Sequence, residues 1–246
     1  MTAIRRFVWF ELNTPNPSAD VPFYLHTLGE AWGVRETTSR GAPYAMLTFR
    51  GVPVAGVILP RHGALAAQWA GFFSVPDVDA AAGLAESLGG QVLAPPDELD
   101  DIGRAALVAD PDGGLCYLYQ SHTGAGANPG FSWNELWARD IALTIPFYCG
   151  VLGLAQDFYP GAQAGYWLWK DGEALVAGGF SYAGRTAEAR WVPYLVTDDV
   201  DAAVTRATSL RGVVVQPATD VPGIGRVAHL RDPAGAAFAV VTPAAR

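Results

Sequence analysis

Two cysteines, one lysine and four histidines are all that 246 residues hold of the side chains most often recruited as nucleophiles, Schiff-base amines and soft metal ligands. Cys116 and Cys149 stand far apart in unlike contexts, which gives neither a disulfide framework nor a metal-binding spacing. The single lysine, Lys170, sits in a Trp-Lys-Asp-Gly stretch and reads as a solvated charge rather than a Schiff-base amine. No apolar run approaches the ~18 residues of a membrane span. The amino-terminal Met1-Thr-Ala-Ile-Arg-Arg runs straight into a strand pattern with no leader-type apolar core. A cytoplasmic protein is expected. Positive charge is scarce as well, 16 Lys and Arg against 24 Asp and Glu, for a net charge of −8. An acidic surface repels phosphate backbones and anionic headgroups, so neither nucleic acid nor membrane is an expected partner.

Hydrophobic residues make up 50% of the chain, enough for a sizeable core, and eight tryptophans point to buried packing or an aromatic-lined pocket. The dominant feature is a repeat. Phe7-Val-Trp-Phe-Glu-Leu12 returns as Phe131-Ser-Trp-Asn-Glu-Leu136, with Trp9 and Trp133 offset by 124 positions, as are Glu11 and Glu135. Phe23-Tyr24 and Leu28-Gly29 return at the same offset as Phe147-Tyr148 and Leu152-Gly153. Further on the offset is 122: Trp69 matches Trp191, Ile102-Gly-Arg104 matches Ile224-Gly-Arg226, and Asp110-Pro111 matches Asp232-Pro233. This is a tandem duplication. Ser121 to Gly130, rich in Gly, Ala, Asn and Pro, reads as the join. Domains are expected at 1–121 and 131–246, with 122–130 as linker.

Within the first half, residues 4–12 pattern as a strand, followed by a helix that Asn16 caps, Pro17 opens and Gly29 ends. Tyr44–Phe49 and Val52–Leu59 pattern as a hairpin, and 61–67 links onward. The order then recurs: a strand at 69–75, a helix from the cap Asp77 to Leu88, a strand from Val92 to Pro95, and a hairpin across Asp110-Pro-Asp-Gly113. The expected architecture is α+β, a strand–helix–three-strand unit played four times.

That unit, with first helices ending Phe-Tyr-x3-Leu-Gly and last hairpins reading Asp-Pro-x-Gly, resembles the vicinal oxygen chelate superfamily of glyoxalases, bleomycin-resistance proteins and extradiol dioxygenases. Its nearest likeness is to the two-domain glyoxalase-like branch described as predicted hydroxylases. The resemblance covers nearly the whole chain and implies four βαβββ units forming curved mixed sheets around clefts. In metal-dependent members, ligands stand on the first and last strands of these units. The corresponding positions here are Trp9, Trp133, Tyr117 and Ala239, with Ala70, Gly71 and Pro193 near the start of the second units. None is a good donor to Zn, Ni or Fe. His26, His62 and His122 read as surface or structural residues, whereas His229 is a strand residue able to face a cleft. No cofactor is expected. A divalent metal stays open only through Glu11, Glu135 and His229.

Residues two apart on a strand share a face, so each half presents a tryptophan beside a glutamate. The expected ligand surface is Trp9, Glu11 and Asn13 in one half and Trp133, Glu135 and Trp137 in the other, with Tyr117, Arg104 and Arg226 nearby. It suits a flat, largely apolar small molecule held by stacking and oriented by a carboxylate. The bland alternatives are core packing for the tryptophans and loop tethering for the arginines. Glu11 and Glu135 are the candidate catalytic acid or base, with the pKa expected to rise in a half-dry cleft. Two functions follow: sequestration of an aromatic natural product, or metal-free lyase, isomerase, cyclase or hydroxylase chemistry of secondary metabolism. The first half, with Asn13 where the second has Trp137 and Met46–Phe49 set against Trp167–Lys170, is expected to hold the more open cleft. The chain is expected to act as a monomer or homodimer.

Overall fold

The computed structural model describes residues 5–60, 66–124, 126, 128–159, 165–182 and 189–244. Among them are four βαβββ modules in chain order. The first is β1 (Phe7–Asn13), α1 (Pro17–Leu28), β2 (Trp32–Ser39), β3 (Ala42–Phe49) and β4 (Val52–Ile58); the second is β5 (Gln68–Ser74), α2 (Val78–Ser87), β6 (Gln91–Leu99), β7 (Gly103–Ala109) and β8 (Leu115–Ser121). The third is β9 (Phe131–Ala138), α3 (Ile141–Leu152), β10 (Ala155–Phe158), β11 (Trp167–Asp171) and β12 (Ala174–Ser181); the fourth is β13 (Arg190–Val196), α4 (Val200–Ser209), β14 (Val213–Val221), β15 (Gly225–Arg231) and β16 (Ala237–Pro243). The α+β architecture of repeated modules is as expected.

Each copy of the repeat builds one eight-stranded mixed sheet, ordered β2-β3-β4-β1-β5-β8-β7-β6 in the first and β10-β11-β12-β9-β13-β16-β15-β14 in the second. The hairpin strands pair antiparallel, while the first and last strands of each module pair parallel, as in Glu11 opposite Gly56 and Tyr194 opposite Ala239. A parallel neighbour requires a crossover, which here is the helix together with the outer hairpin.

Local chemistry sets the helices. Asp77, Asp140 and Asp199 each accept a backbone N–H of the first turn, at 2.9, 3.0 and 3.0 Å. Asn16 does not do so; its side chain instead accepts from Ser18 Oγ, and Pro17 opens α1. Gly153 closes α3 in the left-handed region at φ 64°. Val78, Ala81, Ala82 and Ala85 give α2 one buried face.

Two strands depart from the expectation. β2 reads poorly in sequence because only Trp32 is buried and the run from Arg35 to Thr38 is exposed and polar. It is an edge strand, and so is β6, which continues through Pro95 and Pro96 to Leu99. Proline removes a ladder donor, and an edge is where a strand tolerates that loss. His62 and the connector at 61–65 lie outside the described residues.

By packing, the chain forms two compact units. One comprises Met1–Trp9, Ala70–Ala127 and Trp133–Trp191; the other comprises Phe10–Trp69, Asn128–Ser132 and Val192–Arg246. In the first, α2 packs on α3; in the second, α1 packs on α4. Each unit therefore draws on both copies of the repeat, and each has a buried polar chain at its centre. In the second unit Trp69 Nε1 donates to Tyr24 Oη at 2.9 Å, and Tyr24 Oη donates to Asp232 at 2.9 Å. In the first, Trp191 Nε1 donates to Tyr148 Oη at 2.9 Å, and Tyr148 Oη donates to Asp110 at 2.8 Å. The aspartates complete their coordination on turn amides, Asp232 from Ala236 and Asp110 from Asp112 and Gly114. Burial pushes Asp232 up to about 6, and raises the two tyrosines well above the ordinary phenol range.

Removing either tyrosine hydroxyl leaves an indole N–H and a carboxylate oxygen buried without that partner. Tyr24→Phe and Tyr148→Phe are each expected to cost about 2–4 kcal/mol. Denaturant unfolding measures this; a loss below about 0.5 kcal/mol would show that the chain is not a structural tie.

Candidate functional site

The paired glutamates sit at equivalent places in the two sheets. Glu11 on β1 faces Gly56 across the parallel pairing to β4, and Glu135 on β9 faces Gly178 across the pairing to β12. The missing side chain is what each site uses. A Cβ on Gly56 would come within 1.9 Å of the Tyr44 hydroxyl oxygen, and one on Gly178 within 2.2 Å of that of Tyr166. Each phenol lies over the glycine and donates to the glutamate, Tyr44 to Glu11 Oε1 at 3.1 Å and Tyr166 to Glu135 Oε1 at 2.9 Å.

These tyrosines and glycines were not among the sequence candidates. A signal existed: Tyr44 and Gly56 recur as Tyr166 and Gly178 at the 122-residue offset, but strand register is needed to see that they meet. Register also corrects the alignment of the β3 and β11 strands. Ala45 pairs with Val57 and Trp167 with Gly179, so Trp167 stands in place of Ala45, one residue earlier than Met46.

The second site carries further partners. Trp133 Nε1 donates to Tyr166 Oη at 3.0 Å, and Trp137 Nε1 donates to Glu135 Oε2 at 2.7 Å. Both carboxylate oxygens thus accept hydrogen bonds, which offsets the cost of holding a polar group only 5% exposed in the sheet face. Trp137 lies flat on Tyr182, with ring centroids 4.9 Å apart and planes 5° apart. Desolvation raises the Tyr166 phenol far above its ordinary range, with the neighbouring Glu135 charge adding to the effect. Tyr166 is therefore a standing hydrogen-bond donor at neutral pH. In the first copy, Glu11 is partly exposed and Asn13, at the position of Trp137, is buried.

At the positions where relatives of this type hold metal, the residues do not form a ligand set. Trp9 and Tyr117 pack on the Phe72 and Ala105 cluster, and Tyr117 stacks on Phe72 with centroids 4.2 Å apart. Ala239 lies between Tyr194 and His229 on the neighbouring strands, and these two share a hydrogen bond of 2.9 Å. Among the described residues, no three His, Cys, Asp or Glu side chains converge as metal ligands. Indole, phenol and methyl side chains at these positions do not make a donor set for a divalent metal.

The arginines are engaged elsewhere. Arg104 forms a forked ion pair with Asp79 in the first turn of α2 and a second with Glu98 at 3.4 Å. Arg226 repeats this with Asp201 of α4, at 2.7 and 2.8 Å, and with Asp220 at 3.1 Å. These bonds tie helix starts to the outer strands. Lys170 pairs with Asp157 at 3.3 Å, His26 is exposed, and His122 lies 3.6 Å from Glu98. An open groove of about 520 Å³ in the second compact unit is lined by Phe49, Asn128, Phe131, Val196 and Thr242 among others, and neither glutamate contributes to it.

His229 is buried, and desolvation lowers its pKa from 6.5 to about 4. A lowered histidine favours the neutral ring in the fold, so its contribution to stability is complete above pH ~6.5 and fades as pH falls toward 4. An NMR titration should find this imidazole neutral at pH 5.5; a midpoint near 6.5 would contradict its burial. For the glutamate sites, Gly178→Ala should drive the Tyr166 ring off Glu135 and admit water, shifting tryptophan emission to the red. An unchanged spectrum would mean that the ring does not depend on the glycine.

Comparison with known proteins places these sites in context. The family model of the Glyoxalase/Bleomycin resistance protein/Dioxygenase superfamily matches residues 130–240. CFP32 of Mycobacterium tuberculosis, which carries a provisional glyoxylase name, is 32% identical over 96% of this chain and 94% of its own. The anthracycline biosynthesis protein DnrV of Streptomyces peucetius is 32% identical over 95% of this chain and 91% of its own. Among solved structures, the 2,3-dioxygenase LapB from Pseudomonas sp. KL28 superposes with a TM-score of 0.64 at 15% identity, covering 100% of this chain and 94% of that one. The Mn(II)-bound glyoxalase from Novosphingobium aromaticivorans gives 0.63 at 14% identity, covering 97% and 83%. At such identities the structural likeness speaks for the fold.

Proposed function

Because the chain belongs to the glyoxalase/bleomycin resistance protein/dioxygenase superfamily, we propose that it binds a flat, hydroxylated aromatic small molecule of the natural-product type in the cytoplasm, without a metal. The observation that carries this reading is the glutamate–tyrosine pair repeated in both copies, joined in the second by Trp133 and Trp137. A carboxylate accepts strongly from a phenol or enol of a ligand, and indole and phenol rings supply stacking area at low conformational cost. Ring systems of this kind match the acidic, aromatic-rich character of the chain better than a phosphorylated metabolite would. The similarity to DnrV, an anthracycline biosynthesis protein, supports the same ligand class. Four modules in one chain let the protein work as a monomer, with a homodimer as the other arrangement.

The hydrogen bond between each tyrosine and glutamate supports a second reading, acid–base catalysis on the same kind of molecule. Glu11 or Glu135 would take a proton from a carbon next to a carbonyl and return it to another atom of the same substrate. That isomerisation or cyclisation is balanced without oxidant or reductant. Once the glutamate holds the proton, the phenol O–H would turn from it to the enolate oxygen as charge develops there.

Titration of the protein with 1,8-dihydroxyanthraquinone, followed by tryptophan quenching and by chromatography of the recovered ligand, separates the readings. Saturable quenching with the compound recovered unchanged supports binding; a converted product supports the catalytic reading. Absence of saturable quenching by this and related hydroxyquinones would overturn both.

A further inference from the structure

We propose that the second copy of the repeat receives the ligand on a row of aromatic rings laid across its sheet, and that this row selects fused polycyclic aromatics over single-ring phenols. This rests on the ligand-binding reading above and adds which face is used and what shape of molecule it takes.

Strand register puts the rings on one face. Tyr166 lies over Gly178 and bonds Glu135, and Phe180 is the partner of Trp137 where β12 pairs with β9. Residues two apart share a face, which unites Glu135 with Trp137 and Gly178 with Phe180. The backbone N–H of Tyr159 donates to the carbonyl of Tyr166, so these two are neighbours across the outer hairpin. Each strand of the order β10-β11-β12-β9 thus brings one ring: Tyr159 just past β10, Tyr166 just before β11, Phe180 in β12 and Trp137 in β9. Successive ring centroids are 6.3, 6.1 and 6.4 Å apart. Tyr182 adds a fifth ring, stacked on Trp137 at 4.9 Å and lying 6.1 Å from Phe180.

Two features mark this as a receiving surface rather than core. The first is exposure. Tyr159 is 48% exposed, and Tyr166, Phe180 and Tyr182 are half-buried, whereas Tyr148 and Trp169 in the core of the same compact unit are closed to water. Contiguous apolar surface left open in this way marks a binding face. The second is rigidity. Glu135 accepts from Tyr166 on one oxygen and from Trp137 on the other, so a single carboxylate fixes two of the rings. The Trp133 indole N–H holds the Tyr166 hydroxyl as well. Rings fixed before binding lose little conformational freedom when a ligand arrives. The first copy has Asn13 and Ile58 at the positions of Trp137 and Phe180, and both are buried, so the row belongs to the second copy.

The spacing decides the shape of the ligand. A single ring covers one member of the row. A fused plane reaches across two or more and gains contact area with each. Tyr159 at one end and Tyr182 at the other carry phenol O–H groups, donors suited to carbonyl or hydroxyl oxygens on the edge of such a plane.

Equilibrium dialysis of the full-length protein against 1,8-dihydroxyanthraquinone and against phenol tests this. One site per chain is expected for the tricyclic compound, bound about tenfold or more tighter than phenol. Tyr159→Ala removes an exposed ring and spares the core. It should weaken the tricycle about three- to tenfold and narrow its preference over phenol. Tyr182→Ala should do the same from the other end. Phe158→Ala is the control: that ring is 43% exposed but packs on Trp167 instead of the row, and its loss should leave binding unchanged. Tricycle affinity unmoved by both tyrosine variants, or lowered equally by Phe158→Ala, would overturn the inference and leave the ligand-binding reading standing. Failure of the wild-type protein to bind the tricycle would overturn that reading and this inference with it.

Discussion

A buried carboxylate has to be met by donors, and in this chain that requirement organises the packing. Asp110 and Asp232 close the last hairpins of the second and fourth modules, and both are removed from water. Each is met by its own turn amides and by a tyrosine, which is in turn met by a tryptophan. Tyr148 comes from the second copy and binds Asp110 of the first; Tyr24 comes from the first and binds Asp232 of the second. Leaving any member unpaired in the core costs more than the bond itself contributes. The chain of donors thus fixes which modules share a core. The raised pKa of Asp232 is the residual cost of burying it.

The same rule, applied at the sheet faces, produces the candidate sites. Glu11 and Glu135 project from first strands whose other face is core, and each is met by a tyrosine that reaches across a glycine. A side chain larger than hydrogen at that glycine would occupy the space of the phenol oxygen. The superfold hosts metal-dependent lyases and dioxygenases, but here the positions that would hold the metal are taken by Trp9, Tyr117 and Ala239. Indole, phenol and methyl groups favour aromatic contact over coordination.

Much of the fold was legible in the residues alone. The 124- and 122-residue offsets exposed the duplication, and Asp77, Gly29 and the Asp110-Pro turn marked element ends because each acts through its own local backbone. Strand periodicity is local too, and it put Glu135 and Trp137 on one face, where they share a hydrogen bond. What stayed hidden depended on register or on distant partners. Tyr44 is 33 residues from Glu11, and its position over Gly56 follows from the pairing of β3 with β4 and of β4 with β1. Asn16 looked like a helix cap, yet its side chain turns to Ser18, because proline at the first position already organises that end. The arginines were read both as ligand contacts and as tethers. The bond to Asp79 or Asp201, 25 residues earlier in each copy, ties them to the helices.

The exchange of segments between copies also has a temporal consequence. The first compact unit ends at Trp191, whereas the second needs residues from Val192 onward to complete its core. A chain emerging from the ribosome can finish the first unit before the second, which needs the segment from Val192 onward. The segment from Phe10 to Trp69, made before the segments it packs on, carries Tyr24 and Glu11, and Tyr24 waits 208 residues for its partner Asp232. Contacts of such long sequence separation fold slowly, and the exposed interval is when apolar surface is most vulnerable to aggregation. Glu11 and the tyrosine that meets it belong to the unit that closes last.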